Sequence, residues 1–320
     1  MSTYWSCLLL IASWICFQTH SVSGACTSGT YGLDCNYTCH CNTRNCNDVT
    51  GCSDTCNKGW SGPKCNIQNI ALGKVTMQSS YWRNSINSSR AVDGMMNTKF
   101  TENSCIHTGI WSSLEWWQVD LGRNIYIHKL AIYFRTDVKK RRKGVTVYSS
   151  VADKQTNTGH PCGTATLDSP DVTWMICNST ARYITLYRDT YGDKAMDFCE
   201  VQVFICDAGT FGDDCRYFCH CLNGPCNYVT GECSGGCKPN WSGQTCSECD
   251  SDHYGPLCGK PCSSRQCDES GGKSSCNKTT GRCDNGCTAG WKEHDCTKDN
   301  WGLLGNFRIN NKDPSKSGLS

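Results

Sequence analysis

Two patterns of apolar and polar positions divide the chain. Between residues 67 and 205, apolar side chains recur over short runs with a period near two. The runs are Leu130-Ala131-Ile132-Tyr133-Phe134, Val145-Thr146-Val147-Tyr148, Tyr183-Ile184-Thr185-Leu186-Tyr187 and Val201-Gln202-Val203-Phe204. Turn formers such as Thr156-Asn157-Thr158-Gly159 and the stretch 188–193 (RDTYGD) separate them. Short alternating runs with such punctuation predict an all-β domain, an antiparallel β-sandwich. Outside this region apolar residues are sparse. The exception is Cys7–Phe17 (CLLLIASWICF), which is too short to span a bilayer. Small or apolar residues at Val22-Ser23-Gly24 follow it, although no Lys or Arg precedes it. Together they predict a signal peptide over 1–24 and an exported, extracellular chain with no membrane span.

Cysteine usage sharpens that expectation. The chain has 320 residues and 30 cysteines. Twenty-four fall into three blocks of eight. The first is Cys26, Cys35, Cys39, Cys41, Cys46, Cys52, Cys56 and Cys65. The second, Cys206, Cys215, Cys219, Cys221, Cys226, Cys233, Cys237 and Cys246, repeats its intervals of eight, three, one, four, five or six, three and eight. The third, from Cys249 to Cys296, keeps the outer intervals, loses the C-x-C and has a longer centre. Each block places a glycine-flanked aromatic before its second cysteine (Tyr31, Phe211, Tyr254) and a tryptophan near its end (Trp60, Trp241, Trp291). Such density implies an oxidising compartment and modules held by cross-links rather than by cores. Zinc modules would show repeated CxxC and HxxxH pairs, which are missing here. The net charge of +2 gives no global field that would favour nucleic acid.

The candidate chemistry lies between Ser104 and Arg142. It comprises His107, the pair Trp116-Trp117, and Arg135, Asp137 and Arg142 around a basic run, Lys139-Lys140-Arg141-Arg142-Lys143. Arginine supplies a rigid fork of donors and histidine can donate or accept, so neighbouring loops bearing these residues suit sugar hydroxyls. Each also has a plainer reading. A loop histidine is more often structural, a basic run is more often a solvated turn, and adjacent tryptophans on a strand divide between core and surface. No G-x-S-x-G, H-E-x-x-H or supported carboxylate pair is present, so the sequence does not read as an enzyme. N-x-[ST] sequons at Asn36, Asn87, Asn178, Asn240 and Asn277 suit an exported glycoprotein.

The middle region resembles the F-type lectins (fucolectins), built on the F5/8-type-C, discoidin-like jelly roll. The matching stretches are Asn69-Ile70-Ala71-Leu72-Gly73-Lys74, Gln78-Ser79-Ser80, Ala91-Val92-Asp93-Gly94 with Asn97 and Phe100, Ser104-Cys105-Ile106-His107-Thr108, Trp116-Trp117-Gln118-Val119-Asp120-Leu121, an R-x-D-x4-R at Arg135, Asp137 and Arg142, and Phe198-Cys199-Glu200-Val201. The flanks resemble EGF-like modules of the laminin and multiple-EGF scavenger-receptor kind. The resulting division is a signal peptide over 1–24, an EGF-like module over 25–66, an F-type lectin domain over 67–205, a second EGF-like module over 206–247, a divergent one over 248–297, and a tail over 298–320.

By this resemblance L-fucose would be bound by His107, Arg135 and Arg142, with Phe100 packing against the C6 methyl. A structural calcium ion would take oxygens of Arg90, Asp93, Met95, Ser104, Cys199 and Glu200, as a hard cation requires. The implied bridges are Cys105–Cys199 and Cys162–Cys177, with Cys26–Cys35, Cys39–Cys46, Cys41–Cys52 and Cys56–Cys65 and their counterparts in the second block. There are departures. Val138-Lys139 stands where many members have adjacent cysteines, Thr101 replaces an aromatic after Phe100, Met95 stands where a polar residue is common, and the interval from His107 to Arg135 is one residue longer. These predict weaker or shifted specificity. The function implied is a secreted, calcium-dependent lectin for fucosylated glycans, with the EGF-like modules as spacers or contacts for extracellular proteins. The competing expectations are a protein- or phospholipid-binding discoidin-like domain and an extracellular fragment of a scavenger-type receptor.

Overall fold

The computed structural model describes residues 26–32, 34–43, 46–83, 86–100, 103–110, 114–189 and 195–300. The expected signal peptide, Thr101 and most of the tail lie outside them.

A long hairpin forms the centre. We label the strands of the middle region β1 (Ile67–Asn69), β2 (Val75–Gln78), β3 (Ile106–His107), β4 (Leu114–Tyr133), β5 (Thr146–Ser150), β6 (His160–Thr164), β7 (Val172–Asp189), β8 (Asp197–Phe198) and β9 (Glu200–Cys206). β4 pairs antiparallel with β7 from Val172↔Tyr133 to Asp189↔Leu114. The register shifts between Ile176 and Ser179 and again between Ala181 and Tyr183, where residues 121–124 of β4 face only Arg182. Bulges of this kind bend a ribbon. One half of the hairpin joins β9 and then β1, and the other carries β2, β5 and β6. Both halves feed one core, with Trp117, Val119 and Leu121 from one and Ile127, Leu130 and Ile132 from the other. The result is an all-β, discoidin-like sandwich. Trp117 is fully buried and Trp116 half-buried, as adjacent strand residues must divide.

The flanking modules have almost no hydrophobic core. Each holds two-residue ladders, and every cysteine from Cys26 to Cys296 is bridged. The pairs in the first module are Cys26–Cys35, Cys39–Cys46, Cys41–Cys52 and Cys56–Cys65, and the second repeats them as Cys206–Cys215, Cys219–Cys226, Cys221–Cys233 and Cys237–Cys246. The third pairs Cys249–Cys258, Cys262–Cys276, Cys267–Cys283 and Cys287–Cys296. The recurrent aromatics have a specific task. Tyr254 lies against Gly281 (φ 69°), where a Cβ would come within 2.1 Å of its ring. Only glycine allows both that approach and that φ. Trp60 and Trp241 stack flat on His40 and His220, the histidines inside each C-x-C.

The sandwich begins and ends at one place. β1 pairs with the end of β9, and Trp60-Ser61 of the first module extends the same sheet. The first and second modules therefore meet. Tyr37 and Phe218 rings lie 4.5 Å apart, the Asn66 amide donates to the Cys215 carbonyl, and His40 Nε2 is 2.9 Å from Asp207.

Candidate functional site

Strand pairing builds the site. β3 pairs with β8, which sets His107 opposite Asp197. The Cys105–Cys199 bridge ties the same two segments together. His107 is thus held in a two-residue strand and is 4% exposed, where the sequence suggested a loop held by Cys105. Its Nδ1 is 2.6 Å from the Thr108 carbonyl, which places the proton on Nδ1 and leaves Nε2 as an acceptor. Burial is the main cause of a lowered imidazole pKa, with the nearby Arg141 and Arg135 acting in the same direction against Thr108 and Asp197. The ring is therefore neutral at neutral pH.

Asp197 joins the cations. Its Oδ2 accepts from Arg135 Nη1 at 2.9 Å and from Arg141 Nη1 at 2.5 Å. Arg141 Nη1 also lies 2.9 Å from His107 Nε2. Asp137 grips the other edge of Arg135 through Nε at 3.0 Å and Nη2 at 2.6 Å. The carboxyl of Asp137 sits below the usual carboxylate range because of that guanidinium. Asp197 Oδ1 is buried and has no hydrogen-bond partner among the described residues.

An aromatic wall closes one side. Phe100 lies under the Arg135 guanidinium at 4.3 Å and meets His107 edge-on at 5.8 Å. Trp82 stacks on His107 at 4.9 Å and lies 6.0 Å from Phe100. The arrangement offers planar donors, one neutral ring acceptor, one carboxylate oxygen and an apolar face within a few ångströms.

Of the residues expected at the sugar site, His107, Arg135 and Phe100 come together and Arg142 does not. Arg142 points the other way, donating to the Ser169 carbonyl at 2.5 Å, to Asp171 at 2.5 Å and to the Arg135 carbonyl at 3.3 Å. The short 3-10 turn Lys139–Arg142 sends successive side chains in different directions, so the literal R-x-D-x4-R spacing falls one residue past the arginine that faces His107. Arg141, Asp197 and Trp82 were missed. The only sequence signal for Asp197 is its position two residues before Cys199, and its role becomes visible only through pairing with His107.

Of the residues expected to hold calcium, Asp93 lies beside Glu200, and the Cys105–Cys199 bridge ties the segments of Ser104 and Cys199 together. Glu200 is fully buried, its Oε1 accepts from the Gly94 amide at 3.1 Å, and its Oε2 has no hydrogen-bond partner among the described residues. Burial, then the charge of Asp93, pushes its carboxyl up to about 9. Asp93 accepts from the Met95 amide, and the buried Ser104 hydroxyl donates to the Asn97 carbonyl. Glu200 begins the strand that follows Cys199, which its bridge to Cys105 fixes beside Ser104. A buried carboxylate with an orphaned oxygen and a second acid beside it fits a hard dication.

Residues 90–186 match the family model described as the NedA-like, galactose-binding domain of F5/F8 type C. The sandwich is an F5/F8 type C domain. The flanks of this F5/F8 type C domain are disulfide-rich modules consistent with the EGF-like kind. Dendrite extension defective protein 1 of Caenorhabditis elegans is 36% identical over 73 residues, 23% of this chain and 6% of that protein. Pentraxin fusion protein of Xenopus laevis is 27% identical over 143 residues, 43% of this chain and 33% of that protein. The chain therefore spans a third or less of these curated relatives. Among solved structures, the lectin domain of lectinolysin complexed with Lewis B antigen is 29% identical, with 43% of this chain and 96% of that one covered and a TM-score of 0.38. The matched span of the F5/F8 type C domain ends at Leu186, before Asp197, Cys199 and Glu200 close both sites.

Proposed function

We propose that the F5/F8 type C domain is a carbohydrate-binding module of an extracellular protein, a lectin that recognises L-fucose-containing glycans with calcium in a structural role. The observation that carries this reading is the convergence of His107, Arg135 and Arg141 on Asp197 beside Phe100 and Trp82. Sugar hydroxyls both donate and accept. Arg135 and Arg141 supply donors, while neutral His107 Nε2 and Asp197 Oδ1 supply acceptors. Vicinal hydroxyls would take over the contact that Arg141 now makes with His107. The aromatic wall rewards a methyl at C6, where a hydroxyl would lose water without gaining a partner. A calcium ion bound by Arg90, Asp93, Met95, Ser104, Cys199 and Glu200 would neutralise the two acids. Cys199 and Ser104 then stay fixed, and with them the strands that bear Asp197 and His107.

Extracellular placement is supported by the pairing of every described cysteine, which needs an oxidising compartment. No described helix is long and apolar enough to cross a membrane. The test is a glycan array with and without chelator. Fucose-dependent signal that weakens on chelation and disappears in Arg135→Ala supports the proposal; folded protein that gives no fucose-dependent signal refutes it. A second reading, a protein or phospholipid surface, rests on Met95 and Met96, which are exposed in the irregular segment after Gly94. It predicts binding that survives the double change His107→Ala and Arg135→Ala.

A further inference from the structure

We propose that the seam between the first EGF-like module and the sandwich is a second binding site, separate from the fucose site, for an anionic polysaccharide whose pyranose rings carry sulfate or carboxylate. Two cavities, of about 600 and 360 Å3, run along this seam and share Lys58, Trp60 and Leu72 as walls. The larger opens over the outer face of the sheet, and the smaller continues toward residues 121–125.

Charge selects the ligand. Lys58, Lys74, Lys129 and Arg123 line the two cavities, and Asp214 is the one acid in their walls. None of the four cations makes an ion pair among the described residues. Lys129 spends its ammonium on the Asp213 carbonyl at 2.9 Å. Four further acids lie close: Asp213 and Asp93 flank the larger cavity, and the other two are engaged. Asp120 near Lys74 is held by Arg182 at 2.7 Å, and Glu200 near Lys58 is buried. The chain as a whole carries only +2, so this is a local feature, not a consequence of a basic protein.

The aromatic surface selects the class of polyanion. Trp174, near the start of β7, is 55% exposed, and its position is fixed by stacking on Phe204 at 5.2 Å. An exposed, rigid indole offers a face for the C–H side of a pyranose ring. Tyr133 and Gln202, which hydrogen-bond to each other at 3.3 Å on the same face, can exchange that bond for sugar hydroxyls. A bare phosphate chain would use the cations and leave the indole and the amide idle.

The test is chromatography of the whole chain on immobilised heparin, followed by titration with heparin oligosaccharides at several salt concentrations. Retention is expected, with binding that weakens as salt rises. The triple variant Lys58→Ala, Lys74→Ala, Arg123→Ala, all solvent-exposed positions, should bind at least about tenfold more weakly, the loss expected from three exposed ion contacts. Its fucose-array signal should be unchanged. Trp174→Ala should bind several-fold more weakly with the salt dependence preserved. No retention would overturn the proposal, as would unchanged binding of either variant. So would loss of binding in Lys139→Ala, Lys140→Ala, Lys143→Ala instead, or equally tight binding of a single-stranded oligodeoxynucleotide of matched charge.

Discussion

Arg141 donates toward His107 while its neighbour Arg142, one residue on, donates to Asp171 across the loop. Two adjacent arginines of the same basic run thus have different duties, and they can be separated by mutation. Arg141→Ala should lower affinity for a fucosylated ligand at least about tenfold with little change in melting temperature, because that side chain is partly exposed and its loss leaves Arg135 on Asp197. Arg142→Ala should leave ligand affinity near the wild-type value per folded molecule. It should cost about 1–3 kcal/mol of stability, since it strips buried partners from Ser169 and Arg135. Calorimetric binding and chemical denaturation of both variants decide the matter, and the opposite pattern would return the sugar contact to Arg142.

Asp197 holds two guanidiniums in place, so its charge matters more than its shape. Asp197→Asn should destabilise the domain by about 3 kcal/mol, as a buried cation pair left without its anion does. The surviving folded protein should bind sugar weakly. An unchanged denaturation midpoint would show that the arginines find other partners.

Acid should switch the site off. The folded-state pKa of His107 is lowered below the ordinary histidine value, chiefly by burial. A lowered histidine binds its proton more weakly folded than unfolded, so its contribution to stability is complete above about 6.5 and is lost as pH falls through the folded value. Protonation also converts Nε2 from an acceptor into a donor that faces two guanidiniums. Fucose affinity should be flat from pH 7 to 8 and decline only below about 6.5, the unperturbed histidine value. A decline already beginning at pH 8 would remove His107 from this role.

Calcium should act on stability before it acts on binding. Adding millimolar calcium to chelated protein should raise the melting temperature by roughly 5 °C, through preferential binding to the folded state. Glu200→Gln should abolish the increment, because the buried oxygens then lack the second charge. Differential scanning fluorimetry is sufficient, and a wild-type melting temperature blind to calcium would exclude the proposed ion.

The apolar alternation located the strands but understated their length. Leu130–Phe134 and Tyr183–Tyr187 stand out because they line the core, whereas Leu114-Glu115 and Trp174–Ile176, parts of the same long strands, show no alternation of apolar and polar positions. A sheet face turned to solvent leaves no period to read. The same limit applied to the site. His107, Arg135 and Phe100 were reached through motif spacing, but a spacing counts residues and ignores the turn between them, which is how Arg142 displaced Arg141. Asp197 carried no motif, since its importance lies in a cross-strand partner 90 residues earlier.

The closure of β1 on β9 has a mechanical consequence. Because the first and second modules touch directly through Tyr37–Phe218, Asn66–Cys215 and His40–Asp207, the 139 residues from 67 to 205 form a side branch of an otherwise continuous disulfide-bonded stalk. Tension pulling the modules apart would load that short contact and the β1–β9 ladder first. The hairpin that supports His107 and the arginines would feel little of it, so a stalk under strain would keep the candidate site in shape.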